Sequence, residues 1–129
     1  MKEKILIVED NPENMSLMEM ILRARDYNLL RATDGEEALA VAVREKPDLI
    51  VMDIQLPKLS GLEVTSRLRQ LPEFEHLPIL AVTAFASQED EQQTLEAGCD
   101  AYLAKPISTR QFPLIIKQML EKRGVKDDR

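Results

Sequence analysis

The chain has 129 residues, of which 44% are hydrophobic and 31% charged, and its formal net charge at pH 7 is −6. This composition fits one globular domain rather than a disordered chain, and the negative charge disfavours direct binding to the phosphates of nucleic acids. No apolar run reaches the roughly 20 residues that span a bilayer, and the N-terminus lacks the pattern of a signal peptide. We therefore expect a cytoplasmic protein without membrane insertion.

Five short apolar runs predict β-strands. Residues 5–8, 49–52 and 79–82 are apolar without polar alternation. This pattern is typical of central strands in a parallel sheet, because both faces of such strands are buried. Residues 29–32 and 101–104 form weaker runs and predict strands nearer the edges.

Amphipathic segments follow the predicted strands and predict five helices. Capping residues, a first-turn proline and a terminal glycine mark their limits. These signals place the helices from Pro12, from an Asp34 cap, over residues 61–71, from a Ser87 cap to Gly98, and from one or two residues after Ser108. The alternation predicts an α/β fold over residues 1–123, with a doubly wound parallel sheet and helices on both faces, followed by a short polar tail over residues 124–129.

Polar residues stand where the predicted strands end, which is the edge where α/β sheets bind ligands. If the first and third strands are neighbours, the carboxylates of Glu9, Asp10 and Asp53 converge, and their repulsion favours a hard cation with oxygen ligands, Mg²⁺. Lys105 can neutralise phosphoryl oxygens, Thr83 can donate a hydrogen bond, and Asp53 can act as a nucleophile. Each residue alone is more simply a turn or surface residue, so the hypothesis of phosphoryl transfer depends on the full set.

The segments around these residues resemble the response-regulator receiver family. They are residues 5–11 (ILIVEDN), 52–57 (MDIQLP), 82–84 (VTA) and Lys105-Pro106, and the resemblance extends over residues 2–122. Within the family, the chain looks most like the single-domain DivK-type regulators. The resemblance implies a flavodoxin-like (βα)5 sheet with strand order 2-1-3-4-5. It also implies a single-domain response regulator of a two-component or phosphorelay system, phosphorylated by a histidine kinase or phosphotransfer protein and acting on a protein effector.

The resemblance assigns the chemistry by position. Asp53 would be the phospho-acceptor. Asp10 would bind Mg²⁺ directly and Glu9 through water, and Asp53 and the backbone carbonyl of Gln55 would be further ligands.

The same resemblance assigns the residues around the phosphoryl group. Thr83, Ala84 and Lys105 would contact it, and the Lys105–Pro106 peptide would be cis. Thr83 would move toward the phosphoryl group, and Tyr102, which matches the switch aromatic of the family, would turn inward. A half-buried strand tyrosine is an equally good interpretation of Tyr102.

Three further segments bear on the lifetime of the aspartyl phosphate and on where a partner protein docks. Phe85 offers no polar group to orient a hydrolytic water, so we expect slow self-dephosphorylation; the alternative is that Phe85 packs on the fourth helix. Outer positions of the first helix, the loop after Asp53 and Phe85 predict a partner-binding surface, although scattered surface methionines are an alternative interpretation. The residues predicted for that surface are Met15, Ser16, Met20, Leu56, Pro57 and Phe85.

Other classes of protein are less consistent with the sequence. A hydrolase with an aspartyl-phosphate intermediate needs a general acid two residues after its nucleophile, and Gln55 cannot serve as one. A flavodoxin-like electron carrier is disfavoured because no Ser/Thr-rich phosphate loop follows the first strand. A receiver domain excised from a larger hybrid kinase or multidomain regulator stays open, although Met1, four residues before the first strand, favours a stand-alone chain.

Overall fold

The computed structural model describes residues 2–84 and 87–127, the last of these, 123–127, by backbone alone. Five parallel strands form one sheet in the order β2-β1-β3-β4-β5, so the predicted fold class and strand order are confirmed. The elements are β1 Lys4–Val8, α1 Pro12–Arg23, β2 Asn28–Ala32, α2 Gly35–Glu45, β3 Leu49–Asp53, α3 Gly61–Arg69, a 3₁₀ turn at Pro72–Phe74, β4 Ile79–Thr83, α4 Gln88–Glu96, β5 Ala101–Ala104 and α5 Gln111–Asp127.

Two core clusters cover the two faces of the sheet. Alternate residues of β1 point to opposite sides, so Leu6 and Val8 belong to one cluster and Ile5 and Ile7 to the other. The first cluster is closed by α2 and α3, and the second by α1 and α5. Burial on both faces explains why these strands are apolar throughout, since every side chain of such a strand loses water.

A helix cap fixes the loop between β1 and α1. Asn11 Oδ1 accepts a hydrogen bond from Asn14 N at 3.0 Å and begins α1, with Pro12 in its first turn. The same Asn11 donates its backbone N–H to Glu9 Oε2 at 3.1 Å. The start of α1 is therefore tied to Glu9, the residue that follows β1.

Gly61 lets α3 begin directly beside β3. A Cβ at this position would collide with the backbone carbonyl of Asp53, and Gly61 N donates to Ile54 O at 2.9 Å. A glycine is needed here because the two backbones approach too closely for any side chain.

Two boundaries of α5 differ from the sequence prediction. The helix begins at Gln111, later than expected. Ser108 Oγ accepts from Arg110 N and Gln111 N at 3.2 and 3.1 Å, so Ser108 caps a turn that precedes the helix. At its other end α5 runs to Asp127, so residues 124–127, expected in a tail, continue the helix. A single Gly124 does not end it, because a glycine inside a helix costs only about 1 kcal/mol relative to alanine.

Among the described residues, no helix combines the length and the apolar character that crossing a membrane requires.

Candidate functional site

Three carboxylates converge at the carboxyl ends of β1 and β3. The two strands are neighbours, with Val8 paired to Met52, so the residues that follow lie at one edge of the sheet. One carboxylate oxygen from each of Glu9, Asp10 and Asp53 lies within 4.8 Å of the other two. Glu9 is 1% and Asp53 2% exposed, whereas Asp10 faces solvent. The predicted convergence of the three acids is thus present, and two of them are withdrawn from water.

Lys105 places one positive charge against the two buried acids. Its Nζ lies 2.9 Å from Glu9 Oε1 and 3.2 Å from Asp53 Oδ2. Lys105 N donates to Thr83 O at 2.8 Å, and the following Lys105–Pro106 peptide is cis, as expected. Burial acts to lower the pKa of Lys105, but the close contact with Glu9 and the charge of Asp53 outweigh it and raise the pKa. The side chain therefore stays protonated in the neutral range.

The contact with Lys105 only partly balances the negative charge of Asp53. Burial foremost, followed by hydrogen bonding to Glu9 and the negative charge of Glu9, raises the pKa of Asp53 to about 7. Lys105 and the Gln55 backbone N–H, which donates to Asp53 Oδ1 at 3.1 Å, act in the opposite direction. One ammonium group facing three carboxylates leaves excess negative charge, which a further cation would relieve.

The donor set fits Mg²⁺. Glu9 Oε1 is buried and has no aligned hydrogen bond; its 2.9 Å contact with Lys105 is an ion pair without hydrogen-bond geometry. The three clustered groups offer only oxygen atoms, the ligands that a hard divalent cation prefers. The carboxylates predicted to bind a metal are therefore arranged in a way that can hold one.

Thr83 lies at the end of the strand next to the one that carries Asp53, and it contacts Gln55, for which the sequence predicted a different role. It ends β4, which pairs with β3 through Asp53 and Val82, and it is 2% exposed. Gln55 Nε2 lies 2.7 Å from Thr83 Oγ1. Only the backbone carbonyl of Gln55 was predicted to take part. Its position on the loop directly after β3, beside β4, is the signal that could have indicated the side-chain contact. Ala84, which follows Thr83, is exposed.

Tyr102 lies on β5 and is half-buried against the core cluster of α2 and α3. Burial raises its pKa, and the charges of Asp90 and Glu91 in the first turn of α4 add to the rise. The ring therefore packs on the core of the sheet and lies within reach of the negative charges at the start of α4. This position suits either interpretation of Tyr102, a packed strand residue or a switch.

The prediction that Met15 lies on the outer face of α1 is wrong. Met15 is 3% exposed and packs with Met18 and Leu22 in a core cluster. The spacing of three and then four residues puts these side chains on one inward stripe of the helix. Ser16 and Met20 do lie outside, and Met20 is 64% exposed.

Ser16 and Met20 border a shallow groove along α1, lined also by Pro12, Glu13, Leu17 and Arg23. In the loop after β3, Pro57 is exposed and Leu56 is half-buried against the core. Phe85, the remaining residue predicted for partner binding, lies outside the described residues.

Comparison with known proteins gives consistent matches. The model of the response regulator receiver domain family matches residues 5–122. The polar-differentiation response regulator DivK of Brucella anthropi is 48% identical over 120 residues, which cover 93% of this chain and 98% of that protein.

Solved structures agree with that match. A CheY-like response regulator receiver domain protein of Methanospirillum hungatei JF-1 has a TM-score of 0.90 at 30% identity, covering 98% of this chain and 99% of that one. The receiver domain of the sensor histidine kinase PA1611 of Pseudomonas aeruginosa PAO1, with a magnesium ion coordinated in its active site cleft, has a TM-score of 0.87 at 36% identity, covering 94% and 99%.

Proposed function

The chain belongs to the response regulator receiver domain family, and on that premise we propose that it accepts a phosphoryl group on Asp53 in a Mg²⁺-dependent reaction. As a member of the family it is a response regulator of two-component signalling, and receiver domains interact with histidine kinases or phosphotransfer proteins. The observation that carries the proposal is the position of Asp53, 2% exposed between Lys105 and two further carboxylates.

The proposed reaction moves a phosphoryl group from a phosphohistidine nitrogen to a carboxylate oxygen of Asp53. The new O–P bond forms as the N–P bond breaks, and the leaving imidazole takes up a proton from solvent. Lys105, 3.2 Å from Asp53 Oδ2, is placed to offset charge on the phosphoryl oxygens, and Thr83 to donate a hydrogen bond. Ala84, next to Thr83, is assigned to the same group of contacts.

Glu9, Asp10, Asp53 and the backbone carbonyl of Gln55 would hold Mg²⁺. When bound, the cation supplies charge neutralisation at the reacting oxygens. The clustered carboxylates and the buried Glu9 Oε1 support this assignment. The similarity to a receiver domain whose active site cleft coordinates magnesium supports it as well.

Phosphorylation would act as a switch by favouring one of two packings. Thr83 would move toward the phosphoryl group, and Tyr102 would turn inward and alter the surface made by α4, β5 and α5. The half-buried position of Tyr102 beside the acidic start of α4 supports this role.

The phosphodonor protein would dock on α1 and the loop after β3. Ser16 and Met20, the exposed Pro57 and the half-buried Leu56 form the surface that we assign to it. The exposure of Met20 supports the assignment, since an adaptable exposed methionine suits packing against a partner helix.

Self-dephosphorylation would be slow. The burial of Asp53 limits the access of water to an acyl phosphate. The protein would therefore act as a signalling domain and would not turn over external substrates.

Labelling with a small phosphodonor tests the proposal. Incubation with acetyl phosphate and Mg²⁺ should add one phosphoryl group per chain by intact mass, and Asp53→Asn should abolish the addition. Asp26→Asn is the matched control, because Asp26 is surface-exposed and its ion pair with Lys2 lies on the surface as well. Labelling that survives in Asp53→Asn, or continuous phosphate release without a stable adduct, would contradict the proposal.

A further inference from the structure

Gln55 touches both residues on which the proposed switch depends. Its backbone N–H donates to Asp53 Oδ1 at 3.1 Å, and its side-chain amide bonds Thr83 Oγ1 at 2.7 Å. Either orientation of the amide gives the second bond, since a hydroxyl both donates and accepts. The residue itself is exposed, whereas Thr83 is 2% exposed. The glutamine side chain thus reaches inward from the surface and holds a buried hydroxyl.

We propose that the Gln55 side chain is a latch on the unphosphorylated state, holding Thr83 Oγ1 in a hydrogen bond that must be given up when this hydroxyl moves to a phosphoryl oxygen on Asp53. The proposal rests on the function assigned above to Asp53 and Thr83. It gives the Gln55 side chain a positioning role that is separate from the metal contact assigned to its backbone carbonyl.

The consequence follows from competition for one hydroxyl group. A molecule that keeps the Gln55–Thr83 bond is less able to place Thr83 against the phosphoryl group. The apparent affinity for that group is therefore reduced in proportion to the fraction of molecules in which the bond is made. A hydrogen bond between neutral groups contributes modestly, and its loss corresponds to a change of roughly 2- to 10-fold in an equilibrium constant. Gln55 therefore sets how far a given degree of phosphorylation moves the switch.

The latch can be measured with beryllofluoride, which stands in for the phosphoryl group on a carboxylate. Titration calorimetry in saturating Mg²⁺ gives its dissociation constant for wild type and for Gln55→Met, which keeps the length of the side chain and removes the amide. We expect Gln55→Met to bind beryllofluoride about 2- to 10-fold more tightly. Gln70→Met is the matched control, because Gln70 is exposed at the end of α3, and we expect it to bind like wild type.

A double-mutant cycle assigns the gain to Thr83. In a Thr83→Ala background the Gln55→Met substitution should change the affinity by less than 2-fold, since no hydroxyl remains to be held. In a Thr83→Ser background the gain should return, because serine keeps the Oγ atom.

Three outcomes overturn the latch. They are unchanged or weaker binding by Gln55→Met, a gain that persists in the Thr83→Ala background, and an equal gain in Gln70→Met. A wild-type protein that does not bind beryllofluoride at all, or binds it equally well as Asp53→Asn, contradicts the proposed function itself. Failure of the latch and failure of the phospho-acceptor site are therefore distinguishable.

Discussion

Ionisation of Asp53 should destabilise the fold in the absence of a divalent cation. Its pKa is raised from 3.8 to about 7 by burial and by Glu9. The folded state therefore holds this proton more tightly than the unfolded state does, and stability is lost as the pH rises from about 4 to about 7. Asn at position 53 carries no such charge. The free energy of unfolding of Asp53→Asn should therefore exceed that of wild type by an amount that grows over this pH range and is constant above it.

The size of the effect follows from the same pKa. A rise from 3.8 to about 7 corresponds to roughly 4 kcal/mol if all of it is felt by the fold. Solvent screening around a site that is open at Asp10 reduces this figure, and we expect a gain of about 1 to 2 kcal/mol for Asp53→Asn between pH 5 and pH 8.

Urea unfolding with a chelator present, at intervals across this pH range, measures the difference directly. Saturating Mg²⁺ should shrink it, because a bound cation stabilises the ionised carboxylate. Asp26→Asn, on the surface, should show no such pH dependence. If the free energies of unfolding of Asp53→Asn and wild type differ by the same amount at pH 5 and at pH 8, the assignment of a buried Asp53 carboxylate with a raised pKa is refuted.

Four further substitutions test the packing and the docking surface. Met15→Ala should lower the free energy of unfolding by about 2 to 4 kcal/mol, because it opens a cavity in the core. Met20→Ala should change it by less than about 0.5 kcal/mol. Equal effects of the two substitutions in urea unfolding would contradict the burial of Met15. Gly61→Ala should cost about 1 to 3 kcal/mol, since its Cβ meets the Asp53 carbonyl, and a neutral result would show that α3 shifts freely. Met20→Glu should slow phosphotransfer from a cognate donor protein by about 10-fold or more, since the loss of one buried contact of 1.4 kcal/mol has that effect. It should leave labelling by acetyl phosphate unchanged. Equal slowing with both donors would place Met20 outside the docking surface.

The strands and the acidic site were predictable for the same physical reason. Strands buried on both faces must be apolar along their whole length, so polar residues can appear only where a strand ends. Glu9, Asp53 and Thr83 were found in this way, and their positions at one edge of the sheet follow from the parallel order.

Two features, the burial of Met15 and the side-chain contact of Gln55, were not predicted, because they depend on three-dimensional contacts that the periodicity of the sequence does not specify. The first helix has apolar residues on so much of its circumference that Met15 can be assigned to either face, and only the packing against β1 and α5 decides it. The bond between Gln55 and Thr83 joins the loop after β3 to the last residue of β4, 28 residues further along the chain. Its existence depends on how far one side chain reaches, which no spacing in the sequence reports.

Asn11 gives the acidic site a mechanical connection to the outside of the molecule. Asn11 bonds Glu9 through its backbone N–H and begins α1 through its side chain. A reorientation of the Glu9 carboxylate would therefore act on the first turn of the helix that carries Ser16 and Met20. An arriving phosphodonor would meet a slightly different helix on a chain whose carboxylates are already arranged around a cation. We expect the binding of the donor protein to depend on whether the carboxylates are arranged around a cation, before any bond to phosphorus is made.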